Sequence, residues 1–228
     1  MKKVIYICLL LTAVIYGCEV DNYDPPASQL SGRIVFNGDP VYVRQGISVL
    51  QLYQPGFELK YPINVNVKDD GTFSSLLFDG NYQLVRIAGN GPWESNTDTI
   101  AVEVRGSARV EVPVTPYFTI SNAAFSVEND SVKASCTVTN QVSGRQVERV
   151  VLIVGKTTIL DDLTKIVPST VDLLSSKPGA GLNLSQPVAL SQHLSVSPLS
   201  AQAHLFARIG VKTVGVTELI YSPVFRIR

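Results

Sequence analysis

Strict alternation of apolar and polar residues is the dominant pattern from residue 28 to the end of the chain. Leu30, Arg33, Ile34 and Phe36 belong to one such run, closed by the turn Asn37-Gly38-Asp39-Pro40. Ile47–Tyr53 follows, then Ile63, Val65 and Val67 alternate with Asn64, Asn66 and Lys68. Asp69-Asp70-Gly71 turns the chain into Thr72-Phe73-Ser74, and Asp79-Gly80 precedes an apolar run from Tyr82 to Ile87. Ile100, Val102 and Val104 face Val110, Val112 and Val114 across Arg105-Gly106-Ser107, which predicts a hairpin. The pattern restarts beyond Thr115, which Pro113 and Pro116 bracket, with strands predicted over 118–127, 132–139, 147–154, 203–211 and 219–227. Period-2 patterning with turn residues every ten or so positions predicts an all-β chain of two consecutive β-sandwich domains, 28–115 and 116–228. The Ser- and Leu-rich stretch 157–200 lacks a helical period and reads as long connections with short strands or a helical turn.

The N-terminus obeys a different rule. Lys2 and Lys3 precede an apolar run from Val4 to Ile15, too short to span a bilayer but suited to the core of a signal peptide. Ile15-Tyr16-Gly17-Cys18 resembles a bacterial lipobox, which implies a signal peptide over 1–17, cleavage before Cys18 and a diacylglycerol on its thiol. Residues 18–27, with Glu19, Asp21, Asp24, Pro25 and Pro26, then form an acidic, extended tether. Acidic residues after a lipidated Cys resemble the surface-export signal of Bacteroidetes lipoproteins and imply the outer membrane, exposed at the cell surface. Processing also changes the charge. The full chain of 228 residues carries 19 basic and 19 acidic side chains; losing Lys2 and Lys3 leaves a formal charge of −2. Such a chain has no basic footprint for nucleic acid. Of Cys8, Cys18 and Cys136, only Cys136 then keeps a free thiol. It shares strand parity with Val132, Ala134 and Val138, so it is expected in the core.

Catalytic chemistry finds little material. The two histidines, His193 and His204, have no second ligand at metal-binding spacing, and no nucleophile elbow, phosphate-binding glycine loop, HExxH or CxxC motif occurs. Asp69-Asp70 is explained by turn chemistry, and Asp161-Asp162 suits the cap of a short turn. No enzyme, metal or cofactor is expected. Recognition remains. Trp93, with Asn90 and Asn96 in the loop Ala88–Asn96, forms one aromatic and polar loop; Tyr53, Phe57 and Tyr61 form another. Flat aromatic faces rimmed by amides suit a polysaccharide or oligosaccharide. The competing reading makes Trp93 and Phe57 hydrophobic lids over the open end of the sandwich, and both readings stand. Asp98-Thr99-Ile100 and Asp130-Ser131-Val132 match the Bacteroidetes O-glycosylation pattern, which makes Thr99 and Ser131 candidate acceptors.

Cys18…Asp21-Asn22-Tyr23…Leu30-Ser31-Gly32-Arg33, with Asp70-Gly71-Thr72-Phe73-Ser74 and Asp79-Gly80-Asn81-Tyr82, resembles a two-domain Bacteroidetes outer-membrane lipoprotein family of unknown function, commonly encoded in polysaccharide-utilisation loci. The same elements look like the carboxypeptidase-regulatory or transthyretin-like sandwich, and the second domain is similar to immunoglobulin- or fibronectin-like modules. The resemblance implies a non-enzymatic accessory in glycan capture or presentation, beside outer-membrane transporter components. The alternative is a structural or assembly module of a transporter complex, adhesin or fimbria.

Overall fold

The computed structural model describes residues 24–56, 61–128, 131–162, 171–193 and 204–228. Among these every regular element is a strand. The predicted signal peptide and Cys18 lie outside the described residues, as does the tether up to Tyr23.

The first unit contains β1 (Ser28–Phe36), β2 (Asp39–Pro40), β3 (Ile47–Tyr53), β4 (Ile63–Val67), β5 (Thr72–Leu77), β6 (Gly80–Arg86), β7 (Ile100–Val104) and β8 (Ser107–Pro113). They form one curled sheet in the order β2-β1-β5-β4-β3-β6-β7, with β8 on the other side of β1. Alternation buries Leu30 and Ile34 from β1 and Tyr82 and Leu84 from β6, while in β3 a register shift between Ser48 and Leu50 puts both Val49 and Leu52 inside. Phe73 lies opposite Gly32 in the β1–β5 ladder. A Cβ on Gly32 would stand 2.4 Å from Cζ of that ring, so only glycine lets Phe73 lie across β1. At the turn before β5, Gly71 adopts φ +79°, and the Asp70 carboxylate accepts from the backbone N–H and hydroxyl of Thr72. This is the turn chemistry expected of Asp69-Asp70-Gly71.

The expected β7–β8 hairpin does not form. β7 pairs with β6, whereas β8 runs parallel to β1 from Gln29↔Ser107 to Val35↔Pro113. The reason lies in the connection. Gly106 donates its N–H to the carboxylate of Asp79 and the hydroxyl of Ser28, while its carbonyl accepts from Gln29 N–H. These bonds carry the chain across to the start of β1 instead of back along β7.

The second unit contains β9 (Phe118–Glu128), β10 (Ser131–Asn140), β11 (Val147–Gly155), β12 (Val171–Pro178), β13 (Val188–His193), β14 (Phe206–Thr213), β15 (Leu219–Tyr221) and β16 (Phe225–Arg226). Two sheets result, β13-β10-β9 and β12-β11-β14-β15, with β16 also on β14. Two of the short strands expected within 157–200 are therefore β12 and β13. The single strand expected over 219–227 divides at Ser222-Pro223-Val224, where proline has no N–H to continue a ladder. Cys136 is 1% exposed beside Val132, Ala134 and Val138, as its parity requires. Burial pushes its thiol up to about 11, out of reach of ordinary nucleophilic chemistry. Most buried apolar residues of both units join in one connected core that includes Trp93, Val114, Tyr117 and Phe118, while Val151, Ile153, Leu160, Leu219 and Tyr221 form a second, smaller cluster in the second unit.

Candidate functional site

The junction between the units is built from the Trp93 loop. Glu94 N–H donates to Thr115 O (2.9 Å), Tyr117 N–H donates to Pro92 O (3.0 Å), and Trp93 forms an isolated bridge with Pro116. The indole is only 3% exposed. It folds back over Gly91, where a Cβ would meet Cε2 at 2.1 Å. Trp93 is therefore a core residue rather than a stacking platform, which corrects that part of the expected binding surface. An apolar indole with a covered seat at the junction loses area to water if it swings out.

The remaining loop candidates do not assemble around it. Asn90 donates to Ser48 O near the start of β3, whereas Tyr53 ends β3, so five residues of strand put roughly 16 Å between them. Tyr53 is half-buried and donates to Gln51 Oε1; Tyr61 is 75% exposed; Phe57 lies outside the described residues. Asn96 accepts from Asp98 N–H in a local turn. Thr99 is exposed just before β7, and Ser131 is half-buried at the first position of β10. His204 is exposed, with Nδ1 2.7 Å from Arg226 Nη2. Among the described residues no group of three or more His, Cys, Asp or Glu gathers as a metal site.

Sequence reasoning missed a polar lock between the units. Arg208 is 0% exposed on β14, yet it reaches across to Val43 O (3.4 Å), and it also donates to Leu160 O (3.0 Å) and Ser222 O (3.0 Å). Its guanidinium lies 4.2 Å from the Tyr221 ring centre. Burial lowers its pKa to about 10, so it stays charged at neutral pH. Asp161 and Asp162 are both buried here. Asp162 accepts from Arg149 (2.9 Å) and from the Tyr221 hydroxyl (3.0 Å), and burial followed by the Asp162 charge holds that phenol protonated. Arg44 and Glu218 add a bidentate bridge, also across the junction. The signal was present: Arg208 interrupts an apolar run, and Arg86 occupies the inward parity of Tyr82 and Leu84.

This lock holds open a cleft of about 440 Å³ between the units. Phe36, Tyr42, Ile120 and Tyr221 supply apolar wall, and Asn37, Asp39, Thr119 and Ser121 supply polar groups. A second recess of about 360 Å³ shares Phe36 and Asn37 with the first and continues to Arg86, Glu94, Ser95 and Asn96. The two recesses adjoin at Phe36 and Asn37. Apolar wall with a few convergent polar groups, at a junction between domains, is the usual make-up of a small-ligand site.

Residues 28–115 match the family described as "Protein of unknown function (DUF3823) N-terminal domain", and residues 118–226 match "Domain of unknown function (DUF3823_C)". A DUF3823 family protein from Parabacteroides merdae is 36% identical, with 90% of this chain and 100% of that one covered at a TM-score of 0.79. A second, from Bacteroides ovatus, is 31% identical over 88% of this chain and 98% of its own, also at 0.79. A Bacteroides uniformis structure described as a "putative carbohydrate binding protein" shares the fold at 14% identity and a TM-score of 0.73, over 90% of this chain and 100% of that one. No curated protein matches the chain. With both domains matched and two solved relatives above 30% identity across nearly their whole length, the chain belongs to the DUF3823 family of unknown function.

Proposed function

We propose that this protein is a non-enzymatic, lipid-anchored outer-membrane protein that holds a glycan segment in the groove between its two sandwiches, as an accessory beside a polysaccharide transporter. The observation that carries this reading is the junction cleft, which sets Phe36 and Tyr42 among Asp39, Asn37, Thr119 and Ser121. Aromatic faces cover the apolar faces of sugar rings, while amide, hydroxyl and carboxylate groups exchange hydrogen bonds with ring hydroxyls. The fold relative from Bacteroides uniformis, whose description names carbohydrate binding, supports the same direction. Anchoring rests on the Ile15-Tyr16-Gly17-Cys18 motif.

A glycan array probed with the full-length chain in detergent tests the binding. Signal on one polysaccharide class, reduced by Asp39→Ala and by Phe36→Ala, is the expected result. Silence across the array, or binding unchanged in both variants, overturns the reading. Labelled palmitate incorporation that Cys18→Ala abolishes tests the anchor, and continued incorporation refutes it. A second reading, an assembly module for protein partners, is favoured by Leu76 and Phe78, which are 66% and 49% exposed at the end of β5. It predicts that Leu76→Ser with Phe78→Ser releases a co-purifying transporter component while array binding persists.

A further inference from the structure

The half of the groove beyond Asn37 holds an anomaly. Arg86 is 7% exposed, and its Nη1 and Nη2 donate to the backbone carbonyls of Pro113 (2.9 Å) and Asp98 (3.1 Å). Its Nε is the single buried side-chain nitrogen or oxygen among the described residues that has no hydrogen-bond partner. No carboxylate among the described residues pairs with Arg86 either. Arg208, deeper still, differs at this point: Nε, Nη1 and Nη2 all reach carbonyls, and the ring of Tyr221 lies against it. Leaving a buried charged donor unmatched is costly, and folds remove such atoms unless something occupies the place. Arg86 also lines the 360 Å³ recess, with Ser95, Asn96 and Asn37 around the same space.

We propose that this recess is a second subsite that takes the negatively charged substituent of an acidic saccharide, with Arg86 as its counter-charge. This rests on the glycan reading of the adjoining cleft. Carbonyl partners leave the guanidinium its full positive charge, and a charged oxygen makes a bond roughly twice as strong as a neutral one. Asn96 and Ser95 are exposed at the rim, where they can hydrogen-bond neighbouring hydroxyls. Glu94 lines the same recess but is exposed, so water and salt weaken its repulsion without abolishing it. Because the cleft and the recess adjoin at Phe36 and Asn37, a saccharide lying over those two residues would place neutral rings in the cleft and its acidic group beside Arg86.

The shared chemistry, an anionic oxygen on a sugar, has two sources: a uronic acid carboxylate or a sulfate ester. Calorimetry on the full-length chain in detergent, with a neutral oligosaccharide, an oligogalacturonide and a sulfated oligosaccharide of matched length, separates them. We expect one acidic ligand to bind about tenfold or more tighter than the neutral one, with the preference shrinking as salt rises. Arg86→Gln should erase the preference. Asn96→Asp, an exposed change that keeps the local turn acceptor, adds a second carboxylate beside Glu94 and should lower the acidic-to-neutral ratio measurably at low salt even if Arg86→Gln fails to fold. Neutral and acidic ligands binding alike, or a ratio unmoved by Asn96→Asp, overturns the subsite while the glycan function stands. Failure of all three ligands, on a chain equally silent on the array, overturns both.

Discussion

A Cβ on Gly91 would sit 2.1 Å from Cε2 and 2.3 Å from Cζ2 of Trp93, so an alanine there cannot coexist with the indole in its seat. Gly91→Ala should push the ring toward water and cost about 1–3 kcal/mol of stability, the usual range for overfilling a packed site. Trp93 is the only tryptophan, so its emission reports the change without interference; we expect a red shift together with a lower urea midpoint. A variant with native emission and midpoint would show that the loop adapts and that the indole is not held by Gly91. The contrast with Cys136 shows what kind of residue the sequence makes legible. Cys136 sits inside an alternating run, so its neighbours Ala134 and Val138 tell which way it points. Trp93 sits in a loop without period, and it pairs with Pro116 at the junction between the units. Both a lid and a platform fitted the sequence, and packing alone chose the lid.

At the scale of strands, alternation identified most elements but could not identify every neighbour. β7 and β8 were both legible as strands, yet their nearness in sequence suggested a ladder that the structure gives to β6 and β1 instead. The deciding groups are remote in sequence: Asp79 accepts from Ser28, 51 positions away, and from Gly106, 27 positions away. These bonds to the ionised form, the Ser28 hydroxyl first and then the Gly106 amide, hold the Asp79 carboxyl below its ordinary 3.8. The sign follows from linkage. A depressed folded pKa stabilises the fold fully above the unfolded value near 3.8 and loses that contribution as pH falls through the lower folded value. Urea unfolding of wild type and Asp79→Asn between pH 6 and pH 2 should therefore show a stability gap that is constant above about pH 5 and narrows below about pH 4. A gap of the same size at every pH would mean that the charge of Asp79 does not hold the β7–β8 connection. The groove was illegible for a related reason. Asn37-Gly38-Asp39-Pro40 reads correctly as a turn, but nothing local says that Thr119 and Tyr221 face it from the second unit.

Across the whole molecule, the groove exists only while the two sandwiches keep a fixed angle, because Phe36 and Asp39 come from one and Ile120, Ser121 and Tyr221 from the other. Polar contacts cross the junction beside the apolar ones. Arg208 joins β14 to Val43 in the first unit, Tyr221 N–H donates to Tyr42 O (3.1 Å), and Arg44 grips Glu218. Arg208→Met keeps much of the side-chain volume but strips the donors from the carbonyls of Val43, Leu160 and Ser222, of which Leu160 and Ser222 belong to residues about 1% exposed. The loss should be on the order of 3 kcal/mol, since buried acceptors are left without partners and Asp161 loses a neighbouring positive charge. Its form matters more than its size. In the wild-type chain Trp93 emission, which reports the first unit and the junction, and far-ultraviolet dichroism, which reports all strands, should unfold together, as one cooperative core requires. In Arg208→Met the two signals should separate, with the second unit, which loses its internal bonds to Leu160 and Ser222, melting first and glycan affinity falling with it. Coincident transitions at the wild-type midpoint would mean that the apolar contacts around Trp93, Tyr117 and Phe118 hold the angle alone. The buried arginine would then be a tolerated cost of the fold and not the brace of its groove.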